Sequence, residues 1–140
     1  MILAVNKWYV INFILLAILL YMAGSWAYYK IRGHMLGGAL ENDEFEKTMR
    51  KAQLIDIREK KEFKEGHILG ARNMPFAQVK TWEKELRKDM PVYLYETGQN
   101  LCIRIAIRLK KAGFTDVKWL KDGYSEWKGK TKKSTSRYDD

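Results

Sequence analysis

The sequence predicts an α/β domain with a central parallel sheet flanked by helices, preceded by one transmembrane helix. Three observations support this fold class. Residues 8–29 are free of charged side chains. After residue 41, strand-like and helix-like segments alternate, which is typical of a parallel sheet covered on both sides. The segment "VYLYE", residues 92–96, is apolar on both faces, as a central parallel strand requires.

The apolar segment 8–29 is long enough to cross a bilayer. As a helix, its 22 residues would extend about 33 Å, against a hydrocarbon core of about 30 Å. Aromatic residues at both ends suit the two membrane interfaces. The alternative is a signal peptide cleaved near "SWA", residues 25–27. The apolar run exceeds the usual signal core, and bulky aromatics crowd that site, so we expect an uncleaved anchor.

The charges that flank this segment predict its orientation. Lys7 precedes it, whereas five basic residues follow it: Lys30, Arg32, Lys47, Arg50 and Lys51. The excess of positive charge on the C-terminal side favours a cytoplasmic domain. We therefore expect a single-pass protein of the cell membrane, with the lipid bilayer as partner through residues 8–29 and a protein partner at the membrane.

Composition excludes several classes of site. The formal net charge is +9, but basic and acidic residues are interspersed, as in "REKKEFKEGH", so we expect no nucleic-acid partner. The single cysteine excludes an internal disulfide. With only two histidines, in different segments, we also expect no metal site and no cofactor.

The chain divides into four parts. Residues 1–30 form the N-terminal segment, and 31–40, with three glycines, are expected to be a flexible tether. Residues 41–128 are the folded domain, and 129–140 are expected to be a disordered basic tail. Within the domain we predict, in chain order, a helix over 43–52 capped by Asn42, a strand over 53–57, a helix over 60–65, a strand over 71–75, a helix over 76–86, the strand over 92–96, a helix over 101–112 closed by Gly113, a strand over 116–120 and a short helix over 122–129.

The segment "LIDIREKKEFKEGHILGARNMP", residues 54–75, resembles the N-terminal signature of rhodanese-like domains. "PVYLYETG" resembles the central strand of that family, and "LKKAGFTDVKWLKDGYSEW" its last helix and strand. The resemblance covers residues 41–127 and implies the rhodanese α/β fold. We expect structural roles for the signature residues, with Asp56 and Arg58 holding loops and His67 setting a turn. The matching positions are Asp56, Arg58, Glu62, Phe63, Gly66, His67, Ile68, Gly70, Ala71, Asn73 and Pro75.

The resemblance also implies a sulfur site in the loop after the central strand. In active members, a cysteine there carries sulfane sulfur as a persulfide, surrounded by backbone amides. Its position falls on Glu96, or on Tyr95 if Gly98 is taken as the family's loop glycine. We expect a ligand-binding loop without its nucleophile, in which the Glu96 carboxylate either folds into the amides or faces solvent. The loop comprises Glu96, Thr97, Gly98, Gln99, Asn100 and Leu101.

Cys102 is the remaining candidate nucleophile. Arg104, Arg108 and Lys111 share one side of the predicted helix, while Cys102 lies on the opposite side with aliphatic residues. This spacing predicts a thiol packed in the core. Cys102 and Arg108 also match the C-x5-R phosphatase spacing, but no glycine lies between them, so we regard the match as chance.

The sequence therefore predicts a membrane-anchored binding module for a protein or small ligand, without sulfurtransferase activity. The alternative is an active sulfurtransferase that uses Cys102.

Overall fold

The computed structural model describes residues 6–134. Its helices are α1 (Lys7–Leu36), α2 (Asn42–Thr48), α3 (Lys60–Glu65), α4 (Val79–Trp82) and α5 (Asn100–Lys111). Its strands are β1 (Ala39–Leu40), β2 (Gln53–Asp56), β3 (His67–Ile68), β4 (Arg72–Asn73), β5 (Val92–Tyr95), β6 (Val117–Leu120) and β7 (Thr131–Lys132).

The main sheet has five parallel strands in the order β1-β6-β5-β2-β4. Strand β5 lies at its centre, where Leu94 pairs with Ile55 on one side and Trp119 on the other. All four residues of β5 are buried. The predicted fold class is confirmed, including the central position of this strand. A second, two-stranded sheet pairs β3 with β7 antiparallel.

Two apolar clusters pack on the two faces of the sheet. Because side chains alternate along a strand, Val92 and Leu94 of β5 face the cluster that contains the buried side of α5. Tyr93 and Tyr95 face the other cluster, where Phe45 of α2 packs. The sheet is thus covered by α5 on one face and by α2 on the other.

Helix α1 is long and apolar enough to cross a membrane by length and composition, with a mean hydropathy of 2.0 in its best window. It continues past the predicted span to Leu36 and ends at Gly37, whose φ of +63° is left-handed. Its C-terminal part packs against α5. A Cβ on Gly33 would lie 2.8 Å from Cδ1 of Ile103, so glycine permits this close approach.

The expectation of a flexible tether over residues 31–40 is wrong. Residues 31–36 belong to α1, and β1 pairs with β6 at the edge of the main sheet. Gly38 accepts a hydrogen bond from the Trp119 N–H at 2.8 Å, and a Cβ there would lie 2.5 Å from the Trp119 ring. Gly33 and Gly38 are needed for close packing, which the sequence alone does not distinguish from flexibility.

The C-terminal tail and one helix also differ from expectation. Residues 131–132 form β7 within the segment expected to be disordered, while 135–140 lie outside the described residues. The helix predicted over 76–86 consists of the short α4 between two 3-10 turns, and the one over 122–129 is a 3-10 turn at Tyr124–Glu126. Asn42 does not cap α2: it is the first helical residue, and its Nδ2 donates to Glu126 O at 2.6 Å.

Candidate functional site

The candidate loop lies at the carboxyl end of β5, the edge of a parallel sheet where ligands bind in many α/β proteins. Glu96 directly follows the central strand and is only 8% exposed. Thr97, Gly98 and Asn100 are exposed, while Gln99 and Leu101 are half-buried. The loop therefore presents backbone and amide side chains to solvent above a buried carboxylate.

The Glu96 side chain turns back towards the first turn of α5. Its Oε1 accepts a hydrogen bond from the Leu101 N–H at 3.0 Å. Of the two sequence interpretations, this geometry matches a carboxylate folded onto backbone amide rather than one facing solvent. Burial raises the pKa of Glu96, and the negative charge of Glu62 acts in the same direction, whereas the Leu101 N–H opposes the shift. Desolvation is the largest of these effects.

Tyr124 and Gly123, which the sequence did not indicate as part of the site, contact the backbone of this loop. The Tyr124 N–H donates to Glu96 O at 2.8 Å. Gly123 has φ +80°, and a Cβ there would lie 1.9 Å from Thr97 O, so the loop backbone rests directly on this glycine. The Asp-Gly dipeptide at 122–123 is a turn signal that points to a special backbone position.

Asp56 and Arg58 form a buried ion pair. Nε and Nη2 of Arg58 lie 3.1 and 2.8 Å from Oδ1 and Oδ2 of Asp56, and the side chains are 8% and 0% exposed. Arg58 also donates to Gly66 O at 2.6 Å and lies 4.1 Å over the Tyr124 ring. The pair thus connects the end of β2 to the turn before β3 and to the segment under the loop.

The other signature residues have structural positions. Asn73 donates to both Asp56 O and Arg58 O, at 3.2 and 2.9 Å. His67 is buried, stacks on Phe63 and has Nδ1 2.8 Å from Phe63 O, so this nitrogen donates. Six signature residues remain. A Cβ on Gly66 would lie 2.8 Å from the Tyr124 hydroxyl, Gly70 has φ +92°, and the Pro75 carbonyl accepts from Trp82 Nε1 at 2.8 Å. Ile68 is buried, Ala71 is half-buried, and Glu62 is exposed on α3.

Cys102 is fully buried in the cluster beneath α5, as the helical spacing predicts. Burial raises the pKa of its thiol well above the ordinary value, and the nearby carboxylates of Glu96 and Asp56 act in the same direction. Arg104 and Lys111 are exposed as expected, and Arg108 is half-exposed. Within residues 6–134, no group of three His, Cys, Asp or Glu side chains could hold a metal ion.

A cavity of about 1020 Å³ lies beside the loop, between α1 and α5. Gln99 and Asn100 of the loop and Arg104 of α5 line one side, and Trp26 and Tyr29 of α1 line another. The helical spacing did not predict this contact. The spacing predicts one buried face of α5, the face that contains Cys102. Ile103 and Ile107 lie outside that face and are also buried, and Gly33 of α1 packs directly on Ile103.

Comparisons with known proteins agree with this geometry. A family model of the rhodanese-like domain matches residues 41–130. The chain belongs to the rhodanese-like family. The match begins after α1 and β1 and ends at residue 130, just before β7, which leaves the N-terminal helix outside the family's own domain.

Relatives of this rhodanese-like chain occur in several bacteria. YqhL of Bacillus subtilis is 42% identical over 123 residues, which cover 88% of this chain and 94% of that protein. YibN of Escherichia coli K12 is 36% identical over 56% of this chain and 57% of its own length. A protein described as a putative sulfur carrier, YrkF of Bacillus subtilis, is 30% identical over 56% of this chain and 42% of its own length.

Solved structures share the rhodanese-like fold. The rhodanese-like domain of the Anabaena Alr3790 protein is 25% identical, with a TM-score of 0.62 over 74% of this chain and 85% of that one. A thiosulfate sulfurtransferase from Pseudomonas aeruginosa is 26% identical, with a TM-score of 0.59 over 69% of this chain and 20% of its own.

Proposed function

We propose that this chain is a membrane-anchored rhodanese-like binding module that has no sulfurtransferase activity. The observation that carries the proposal is the Glu96 carboxylate, buried and hydrogen-bonded to the Leu101 N–H at the position where the family resemblance expects a sulfur-carrying cysteine. The carboxylate fills part of the space and meets an amide that would otherwise face an anionic persulfide. The loop then binds a protein or small ligand through its exposed residues.

The surroundings of Cys102 support the loss of sulfur chemistry. A sulfur acceptor must be a thiolate that an outside sulfur donor can reach. Cys102 is fully buried, and its pKa is raised, so the thiolate is scarce at neutral pH and shielded from solvent. The alternative function, sulfur transfer by Cys102, requires the first turn of α5 to open. It draws support from the descriptions of YrkF and the Pseudomonas enzyme.

The anchoring part of the proposal rests on α1. None of its most apolar window is buried against the rest of the protein, so in water this surface would be exposed. The basic residues after the span favour a cytoplasmic domain. Resistance of the chain to carbonate extraction from membranes tests the anchor. The intact mass of the extracted chain distinguishes an anchor from a cleaved signal peptide.

Cyanide turnover with thiosulfate tests the loss of sulfur chemistry. We expect none above background for the wild-type chain, and the same result for Cys102→Ala. Turnover that disappears in Cys102→Ala would establish the alternative function. Glu96→Cys restores sulfur at the family position, so we expect it to form a persulfide that cyanide removes. Glu96→Ala, which removes the carboxylate without adding sulfur, is the matched control.

Site-specific crosslinking in membranes tests the binding role. A photo-reactive residue at exposed Thr97 should capture a specific partner, whereas one at exposed Lys111, at the far end of α5, should not. Identical crosslinking patterns at the two positions would contradict a binding role for the loop.

A further inference from the structure

The cavity between α1 and α5 has one apolar side and one cationic side. Tyr21, Met22, Trp26 and Tyr29 of α1 supply the apolar and aromatic surface. The cationic groups are Lys30 of α1 and Arg104 of α5, with the amides of Gln99 and Asn100 close by. This combination suits a ligand with an anionic, hydrogen-bond-accepting head and an apolar body.

The two cations lack acidic partners in the part of the chain that the structure describes. The first acidic residue of the sequence is Glu41, so α1 contains none. Lys30 Nζ lies 4.6 Å over the Trp26 ring, and Arg104 Cζ lies 4.6 Å over the Tyr29 ring. These cation–π contacts fix the positions of the charges and leave their N–H groups available to an anion.

A third cation lies on the same turns of α1. Arg32 Nε is buried and has no hydrogen-bond partner among the described residues. A buried donor without an acceptor is unfavourable. Arg32 lies outside the lining of the cavity and adds positive charge to the same turns of α1.

The cavity lies where the apolar segment of α1 ends. Lys30 is the first charged residue after residues 8–29, and Trp26 and Tyr29 have the positions of an interfacial aromatic belt. Arg104 of the folded domain contacts this same belt through Tyr29. If α1 crosses a bilayer, the cavity opens at the level of the lipid head groups.

We propose that this cavity binds the phosphate head group of an anionic phospholipid, between Lys30 and Arg104, with the acyl chains lying along the apolar face of α1. The inference rests on the membrane anchor of the proposed function and is independent of the loss of sulfur chemistry. The bound lipid would hold the first turn of α5, and the adjoining loop 96–101, against the membrane surface.

Lipid retention by the purified full-length chain tests this inference. Native mass spectrometry would count phosphatidylglycerol and phosphatidylcholine bound to the chain from mixed micelles. We expect a preference for phosphatidylglycerol, lowered about fivefold by Lys30→Gln and about fivefold by Arg104→Gln, the effect of one basic residue near an anionic surface. Lys111→Gln makes the same charge change on an exposed residue of α5 and should leave the preference unchanged.

Three results would overturn the inference. The first is equal retention of the two lipids. The second is an equal preference for phosphatidylglycerol in Arg104→Gln and Lys111→Gln, after thermal unfolding has confirmed that both variants fold. The third is full displacement of the lipid by millimolar glycerol phosphate, which would identify a site for a free phosphate. Carbonate extraction tests the membrane anchor separately. A chain that resists extraction but shows no lipid preference contradicts the lipid site alone, whereas a chain that is extracted contradicts both the lipid site and the membrane anchor.

Discussion

The guanidinium of Arg58 binds the carboxylate of Asp56, two residues earlier in the chain, through two parallel hydrogen bonds of 3.1 and 2.8 Å, and both side chains are buried. Asp56 Oδ1 also accepts the Arg58 N–H at 2.9 Å, so the pair closes a tight turn at the end of β2. Because Arg58 extends to Gly66 O and to the Tyr124 ring, the turn organises the segments that support the candidate loop.

Asp56→Asn should destabilise the protein by about 3–5 kcal/mol, because it leaves the Arg58 charge buried without its counter-charge. Denaturant unfolding of the chain in detergent measures the change. The chain offers a matched control in Asp89, which pairs with Arg87 at 2.6 Å with both side chains about two-thirds exposed. Asp89→Asn should change the free energy of unfolding little. Similar losses for the two variants would contradict a structural role for the buried pair.

Glu96→Gln should stabilise the protein at pH 7 and do so less at lower pH. Burial raises the folded-state pKa of this carboxyl. The stability that it contributes is therefore present below its unfolded pKa and is lost as the pH rises through the folded pKa. Glutamine keeps an acceptor for the Leu101 N–H without the charge. The free energies of unfolding of the wild type and of Glu96→Gln, measured from pH 4 to pH 7, test this. A difference between the two proteins that narrows with rising pH would contradict it. Exposed Glu65 provides the control substitution.

Cys102 should resist thiol reagents in the folded protein and react once it unfolds, because it is fully buried and its pKa is raised. Labelling with Ellman's reagent, with and without denaturant, measures this. A cysteine placed at exposed Thr97 in a Cys102→Ala background should react promptly and is the positive control. Cys102→Ser should cost about 1–3 kcal/mol, because it buries a hydroxyl without an assigned partner. Rapid labelling of the native wild type would favour the sulfurtransferase alternative.

Gly123→Ala should displace the candidate loop. Its φ of +80° strains any L side chain, and the new Cβ would overlap Thr97 O. Gly70→Ala separates these two effects, because Gly70 has φ +92° and open space around its Cβ position. Both variants should lose about 1–2 kcal/mol from backbone strain. Only Gly123→Ala should also shift the amide resonances of residues 96–98, and unchanged resonances there would contradict its supporting role.

The centre of the fold could be predicted because it depends on local periodicity. The continuous apolar run of β5 predicts a strand buried on both faces, and the helical spacing of Cys102 predicts the buried face of α5. Both predictions are confirmed. Contacts between distant segments could not be predicted in this way. A helix wheel gives α5 one buried side but cannot show that α1 covers Ile103, and nothing local indicates that Thr131–Lys132 pairs with β3.

The site itself was predicted only in part. Family spacing located Glu96, but two orientations of its side chain remained open because rotamer and burial depend on neighbours far away in the chain. Tyr124, whose N–H donates to Glu96 O, lies 28 residues later, in a segment whose family resemblance does not indicate this contact. Similarly, glycines in the segment 31–40 indicate freedom of the backbone, whereas Gly33 and Gly38 are there because Ile103 and Trp119 approach closely.

The short link of Gly37 and Gly38 between α1 and β1 affects how a ligand reaches the loop 96–101. Ten extended residues would let the domain range about 33–36 Å from its anchor, but the observed link has only two residues between helix and strand. If α1 crosses a bilayer, this short link keeps the domain close to the membrane surface. With α1 in a bilayer, the loop diffuses only within the plane of the membrane. Ligands that diffuse in the same membrane therefore encounter the loop most often.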